Sequence, residues 1–174
     1  YDQHVTFLDQ EFHLRRIGTN GDVAAAEELV RKWADDADVI AVTGIREARI
    51  AGLYDGDLEA EHGIPPPARK LKDLFKAHHG LLIACPEYNT SVTAVLKNTL
   101  DWVSRPDGAE SGQVPYEGKV AGLFSASPGA FGAVRSLEAV RGILMSLGCL
   151  VIPRRVAVPR AHEAFTEDGT MKDP

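Results

Sequence analysis

The fold is decided by residues 80–104, which read GLLIACPEYNTSVTAVLKNTLDWVS. The stretch begins with a short apolar run after a glycine, as is typical of a buried strand. Residues 84–91 then form a sharp polar turn, and from Val92 onward apolar side chains return at helical spacing. Strand, turn and helix in this order indicate a unit of an open parallel sheet, in which ligands bind beyond the carboxyl ends of the strands.

The same alternation of patterns surrounds this stretch. Buried strands are predicted over residues 38–44, 80–85, 119–125 and 149–153, with 156–158 continuing the last one. Helices are predicted over residues 23–36, 67–79, 91–104 and 134–147, and mainly loops over 45–66 and 105–118. Short connections favour a parallel sheet covered on both faces, and right-handed crossovers make a doubly wound sheet the simplest arrangement. Near the start of the chain, residues 5–8 and 12–17 predict two short strands in a hairpin.

Composition narrows the class of protein. The chain has 174 residues and a net charge of −6, which suits one globular domain and argues against a nucleic-acid partner. No apolar run reaches the roughly 20 residues of a membrane span. Cys85 and Cys149 lie in apolar contexts, so we expect buried free thiols and a cytoplasmic protein. No signal peptide is visible, and because the chain starts at Tyr1 rather than Met, residues before it are expected to be missing.

The neighbouring histidines His78 and His79 make a poor metal pair, because adjacent residues point to different faces of a helix. We interpret them instead as a solvated helix end.

Two polar turns, residues 85–91 and 125–133, follow consecutive strands of the predicted sheet. In a parallel sheet they flank one crevice, to which the first contributes a tyrosine, an amide and two hydroxyls, and the second contributes Ser127 and two glycines. A planar flavin needs a flat wall and N–H donors but few reactive side chains, because the cofactor carries the hydride chemistry. The sequence predicts neither a catalytic side chain nor a metal site.

A family resemblance sharpens this interpretation. Pro86-Glu87-Tyr88-Asn89, with Leu96-Lys97-Asn98 and Asp101-Trp102-Val103-Ser104-Arg105-Pro106, resembles the signature of the NADPH-dependent FMN reductase family. Residues 125–132 with Arg135, and segments 150–153 and 165–169, resemble its second flavin loop and closing segment, so the resemblance covers residues 53–174. It implies a flavodoxin-like, five-stranded parallel sheet within a single domain over residues 1–174. It also implies an oxidoreductase that passes hydride from NADPH or NADH to FMN and then to a flavin, quinone, azo dye or chromate.

The resemblance also implies the residues of the site. The isoalloxazine ring of FMN would be lined by Pro86, Glu87, Tyr88, Asn89, Thr90 and Ser91, and closed on its other side by Ser127, Gly129 and Gly132. Arg105 is a candidate contact for nicotinamide phosphates, and the alternative is that it caps the preceding helix. Family members are commonly homodimers or homotetramers, with the helix over 91–104 often at the interface, where Trp102 and Val103 are candidates. The expected partners are therefore small electron acceptors and further copies of the chain.

Residues 1–44 do not resemble the family. Its first strand normally leads into a turn of the form GSxRxxSxN that binds the FMN phosphate. The nearest equivalent here is Gly18–Asp22, in which Thr19 and Asn20 can donate hydrogen bonds while Asp22 repels a phosphate. Residues 1–52 are therefore interpreted as an atypical β-α-β portion, from another α/β protein in a chimera, and the family's last helix is expected to be missing. The alternative function is a recombined or engineered flavodoxin-like scaffold with weak or no FMN binding and no activity.

Overall fold

The computed structural model describes residues 2–7, 10–15, 28, 32, 39–42, 54–167 and 169–172. The chain divides into two compact units, Tyr1–Ala37 and Asp38–Pro174. In the first unit, β1 (Asp2–Phe7) and β2 (Gln10–Arg15) form the predicted antiparallel hairpin. Glu28 and Lys32 are helical, as the pattern predicts for residues 23–36. The interpretation of residues 1–174 as a single domain stays a prediction.

The second unit alternates strands and helices. In chain order it contains β3 (Val39–Val42), α1 (Gly56–His62), α2 (Pro66–Ala77), β4 (Gly80–Ala84), β5 (Glu87–Tyr88), β6 (Ser91–Val92), α3 (Ala94–Val103), β7 (Val120–Ala126), α4 (Val134–Ser146), β8 (Leu150–Val151) and β9 (Val156–Val158). Within the described residues, five strands form one parallel sheet in the order β3-β4-β7-β8, and β9 pairs with β7 as well. This confirms the predicted α/β class with a five-stranded parallel sheet. None of the described helices has the length and apolar character needed to cross a membrane.

One side of β7 is covered by a strand in two pieces. Val120 and Ala121 pair with β8, whereas residues 124–126 pair with β9. Pro153 lies between the two pieces and has no N–H to donate to a ladder, so the pairing is interrupted there.

The core of this unit lies between the sheet and helices α2, α3 and α4. Its fully buried apolar side chains alternate along the strands and recur on one face of each helix: Phe75, Leu81, Ile83, Leu100, Val103, Leu137, Val140 and Leu144. Each such side chain contributes about 1.5–3 kcal/mol by leaving water. Cys85 and Cys149 belong to this core as free thiols, which confirms their interpretation.

The acidic segment after Tyr54 was predicted as part of a loop and is instead the helix α1. The side chain of Asp55 accepts hydrogen bonds from the backbone amides of Asp57 and Leu58, so it caps the first turn. Gly63, at φ 72°, ends the helix. The sequence prediction missed this helix because it buries no residue and therefore shows no apolar periodicity.

Two further expectations are corrected by burial. His78 is not solvated, because its ring is buried and Nδ1 lies 2.8 Å from the carbonyl oxygen of Leu74, whereas His79 is exposed as predicted. Trp102 and Val103 are buried inside the unit, Trp102 with its ring 5.0 Å from that of Tyr54 in an edge-on contact. Neither side chain is therefore available for an interface between subunits.

Candidate active-site crevice

The turn after β4 is a small hairpin. β5 and β6 are antiparallel, with Tyr88 opposite Ser91, so Asn89 and Thr90 form a two-residue loop between them. Both have positive φ, 50° and 66°, as a type I′ turn requires. Asparagine tolerates this conformation, but a β-branched threonine is a strained outlier of the kind that clusters at functional sites.

The hairpin displaces the predicted start of the following helix from residue 91 to Ala94. Thr93 precedes the helix, and its hydroxyl accepts a hydrogen bond from the amide of Leu96 across 3.3 Å. Sequence reasoning missed the hairpin because strands of two residues are too short to show an alternating pattern. The signal that was present is Asn89, since asparagine is enriched in turns with positive φ.

The tip of this hairpin faces solvent. The side chain of Tyr88 is 69% exposed, and Pro86, Asn89, Thr90 and Ser91 are exposed as well. Within the part of the chain that the structure describes, the backbone amides of Asn89 and Thr90 donate to no protein acceptor. The tip therefore offers two N–H donors beside an exposed aromatic ring.

The second turn, residues 127–133, follows β7 and has a similar character. The hydroxyl of Ser127 accepts a hydrogen bond from the amide of Gly129 across 3.1 Å, which closes a tight turn with Gly129 exposed. Phe131 is 68% exposed. Among the described residues, the amides of Ala130 and Phe131 have no protein acceptor. This loop thus offers the same combination of free donors and an exposed ring.

Gly132 is required by close packing within the chain. Its φ is 57°, it is buried, and a Cβ atom there would lie 2.8 Å from the backbone of Val158 and Pro159. The carbonyl of Gly132 accepts a hydrogen bond from the buried hydroxyl of Ser125 across 2.6 Å. Gly132 therefore shapes the loop from inside, and its contact with a flavin stays a prediction.

The first turn contacts the beginning of α4, the helix that directly follows the second turn. Glu87, whose side chain is 13% exposed, accepts a hydrogen bond through Oε2 from the backbone amide of Arg135 across 3.1 Å. Its Oε1 lies 3.1 Å from Nε of Arg135. The hydroxyl of Ser136 lies 3.0 Å from the carbonyl oxygen of Cys85. The structure thus brings Pro86–Ser91 to the start of α4, into which the second turn leads.

The thiol behind the hairpin is not a reactive group. Cys85 is 1% exposed, and burial raises the pKa of its thiol above the ordinary value. The side chain therefore remains protonated at neutral pH, where only a thiolate would act as a nucleophile.

Arg105 lies apart from these turns. Its Nε is 2.7 Å from Oε1 of Glu59, and its guanidinium lies 5.1 Å from the ring centroid of Tyr54, whose hydroxyl donates to Glu59 Oε2 across 2.8 Å. The hydrogen bond from Arg105 lowers the pKa of Glu59. The ten residues of α3, about 15 Å long, separate Arg105 from the hairpin. We therefore leave Arg105 out of the crevice proposed below.

Thr19 and Asn20, the expected phosphate contacts, lie outside the described residues. Their role stays a prediction.

Comparison with known proteins shows which family the chain resembles. The family model described as NADPH-dependent FMN reductase matches residues 15–163. The chain is 36% identical over 132 residues to an NAD(P)H-dependent FMN reductase of Pseudomonas aeruginosa, a match that covers 74% of this chain and 68% of that protein. It is 37% identical over 101 residues to a quinone reductase of Escherichia coli, covering 58% of this chain and 50% of that protein.

A solved structure is also similar. FerB, a flavoenzyme NAD(P)H:(acceptor) oxidoreductase from Paracoccus denitrificans, superimposes with a TM-score of 0.62 at 25% identity. The match covers 92% of this chain and 82% of that one. The chain therefore shares the fold of a known flavoenzyme over most of its length.

The family match begins at residue 15, earlier than the resemblance over residues 53–174. The expectation that residues 1–44 lie outside the family is therefore wrong for residues 15–44. The match confirms the expected flavodoxin-like fold and the oxidoreductase class. It also confirms FMN as the cofactor and NAD(P)H as the co-substrate. This match, together with the two turns at the carboxyl ends of β4 and β7, shows that the chain belongs to the NADPH-dependent FMN reductase family.

Proposed function

We propose that hydride passes from NADPH or NADH to FMN, and then to a small planar acceptor of the quinone class, in the crevice between residues 86–91 and 127–131. The observation that carries this proposal is the pair of neighbouring turn tips, each with free backbone amides and an exposed aromatic ring. When bound, FMN supplies the two-electron redox chemistry.

The residues of the crevice bind and orient. The amides of Asn89 and Thr90 on one side, and of Ala130 and Phe131 on the other, suit the acceptor oxygens and nitrogens of a flat heterocycle. The exposed rings of Tyr88 and Phe131 supply apolar surface that excludes water from a planar ligand. The hydroxyls of Thr90 and Ser91 add polar contacts at the rim. This set of groups fits a flavin ring.

The names of several relatives favour a quinone as the acceptor. Proteins named quinone reductase occur among them in Pseudomonas putida, at 34% identity over 124 residues, and in Escherichia coli. A Burkholderia relative is named 2-hydroxy-1,4-benzoquinone reductase. A planar quinone suits the same flat, amide-lined crevice, whereas chromate is a compact anion without an aromatic face. Benzoquinone should therefore be reduced with a higher kcat/KM than chromate, which a steady-state assay of NADPH oxidation measures.

Titration of the purified protein with FMN, followed by flavin fluorescence, tests the crevice. We expect Tyr88→Ala and Gly129→Val each to weaken FMN binding about tenfold, a loss of about 1.4 kcal/mol. A Cβ at Gly129 makes only an ordinary 3.5 Å contact with the hydroxyl of Ser127, so a side chain can begin there without meeting the backbone. Met145→Ala, on an exposed part of α4, is the matched control and should leave the affinity unchanged.

Two outcomes would contradict this assignment. Unchanged affinity in both crevice variants would remove the crevice as the flavin site. No binding by the wild-type chain would favour the alternative of a flavodoxin-like scaffold without FMN or activity.

We also propose a cytoplasmic homodimer or homotetramer. The family's usual assembly supports oligomerisation, and on α3 the 37% exposed Val95 is a candidate contact in place of the buried Trp102. Two free thiols suit a reducing compartment. Sedimentation equilibrium measures the mass, and a value equal to one chain at micromolar concentration would rule the assembly out. Fractionation of expressing cells tests the compartment.

A further inference from the structure

We propose that Glu87 is a positioning residue that caps α4 from the neighbouring turn, and thereby holds the hairpin tip in its binding conformation, without touching the cofactor. For its ligand, this inference rests on the proposed function. It replaces the expectation that Glu87 lines the flavin ring.

The first part of the argument is an uncapped helix. The residue before α4 is Ala133, at φ 65°, and its side chain has no oxygen to accept the orphan N–H groups of the first turn. The carboxylate of Glu87 accepts the backbone amide of Arg135 in that turn across 3.1 Å. A negative group at a helix N-terminus is electrostatically favourable. The cap is therefore supplied from a different turn of the chain.

The second part is that the carboxylate is fully engaged. One oxygen accepts the backbone amide of Arg135, and the other lies 3.1 Å from Nε of the same residue. The side chain is only 13% exposed. Because the guanidinium balances its charge, Glu87 adds no net negative charge to the crevice. We call these two contacts between Glu87 and Arg135 the latch. They leave little of the carboxylate free to contact a ligand.

The third part connects the latch to the tip. Glu87 is the first residue of the hairpin, opposite Val92. Only Tyr88 separates it from the two-residue loop of Asn89 and the strained Thr90. A β-branched residue at positive φ persists only where its surroundings hold it. The guanidinium of Arg135 also lies 5.1 Å from the ring centroid of Phe131, in the second turn, which forms the other wall of the crevice. One ion pair thus connects both walls of the crevice.

A double-mutant cycle on FMN affinity tests the latch. We expect Glu87→Ala to weaken binding about tenfold and Arg135→Ala to weaken it less, because alanine at position 135 keeps the backbone amide that Glu87 caps. The double variant should lose no more than Glu87→Ala, which by itself removes both contacts. Glu87→Gln keeps an acceptor for the amide and should lose less than Glu87→Ala. Losses that multiply in the double variant would show that Glu87 and Arg135 act on binding independently, and unchanged affinity in Glu87→Ala would show that the contacts do not matter for binding; either result overturns the inference.

Hydrogen exchange of the protein without FMN gives a second readout. Glu87→Ala should speed exchange of the amide of Arg135, which loses its acceptor, and of the amides of the paired residues Tyr88 and Ser91 that flank the tip. The control Glu138→Ala, which breaks the ion pair between Glu138 on α4 and Arg155, should not. A lower melting temperature without faster exchange at the tip would mean a merely structural role and would overturn the inference. If the wild-type chain does not bind FMN, the proposed function fails, yet faster exchange at the tip would still support the latch and unchanged exchange would refute it.

Discussion

The hydroxyl of Tyr116 donates a hydrogen bond to the backbone carbonyl of Leu100 across 3.0 Å, and both residues are fully buried. The ring of Tyr116 also packs edge-on against that of Phe75, with centroids 5.5 Å apart. These contacts fasten the long connection between α3 and β7 to the core.

Tyr116→Phe removes this hydrogen bond and keeps the ring. We expect the free energy of unfolding to fall by about 1 kcal/mol. The loss stays modest because the carbonyl of Leu100 also accepts the amide of Ser104 across 3.0 Å. Urea denaturation measures the change, with Tyr88→Phe as the exposed control. An equal effect of both substitutions would show that the buried hydrogen bond contributes nothing.

Two glycines should respond to alanine with opposite sign. Gly132→Ala places a Cβ 2.8 Å from the backbone of Val158 at a positive φ, so we expect a loss of more than about 2 kcal/mol. Gly142 lies inside α4 with open space around its would-be Cβ. Gly142→Ala should therefore gain about 0.5–1 kcal/mol of helix stability. Thermal and urea unfolding of both variants compare the two, and equal effects would contradict the packing at Gly132.

The thiol of Cys149 should make stability depend on pH in mild alkali. Burial raises its pKa from the ordinary 9.0 to about 11. Between these values the unfolded chain has lost the proton that the folded chain keeps, so the free energy of unfolding falls as pH rises, by at most about 1.4 kcal/mol per unit. Below pH 9 both states are protonated and the contribution is constant.

Comparison with Cys149→Ala isolates this effect, because the other titrating groups remain. Urea unfolding at pH 8, 9 and 10 should show a steeper decline for the wild type than for the variant. Parallel declines would mean that the thiol does not titrate differently in the two states.

Arg105→Ala separates a structural role from nucleotide binding. Since Arg105 is held by Glu59 and Tyr54, we expect a small loss of stability, about 0.5–1 kcal/mol given the partial exposure of the pair. The KM for NADPH should be unchanged. Lys97→Ala, which breaks the exposed pair with Asp101, is a matched control. A KM for NADPH raised severalfold in Arg105→Ala alone would return Arg105 to the active site.

Much of the sheet could be predicted from the sequence, because apolar runs bounded by glycine or proline have one simple interpretation. Strands 80–84 and 120–126 and the helix over 134–146 appear within a residue or two of the expected bounds. The burial of Tyr116 could not be predicted, since it lies in a loop without periodic apolar spacing and only tertiary contacts bring it to Phe75.

The position of the candidate site could be predicted from the sequence, but the roles of its individual residues could not. The sequence predicted Glu87 and Tyr88 in a turn after a strand, and they follow β4 in the hairpin strand β5. It could not show that Glu87 faces Arg135, because that contact joins residues 48 positions apart. Similarly, a glycine pattern cannot distinguish the exposed Gly129 from the tightly packed Gly132.

The break between β8 and β9 at this edge of the sheet affects how readily molecules associate edge to edge. A sheet edge with an unbroken row of N–H and C=O groups is a template on which other chains add and aggregate. Here Pro153 removes a donor between β8 and β9, and Arg154 and Arg155 follow it with positive charge. Although Leu150 and Ile152 are exposed beside it, this edge offers an incoming strand only short, separated runs, which protects the protein against fibril-like association at high concentration.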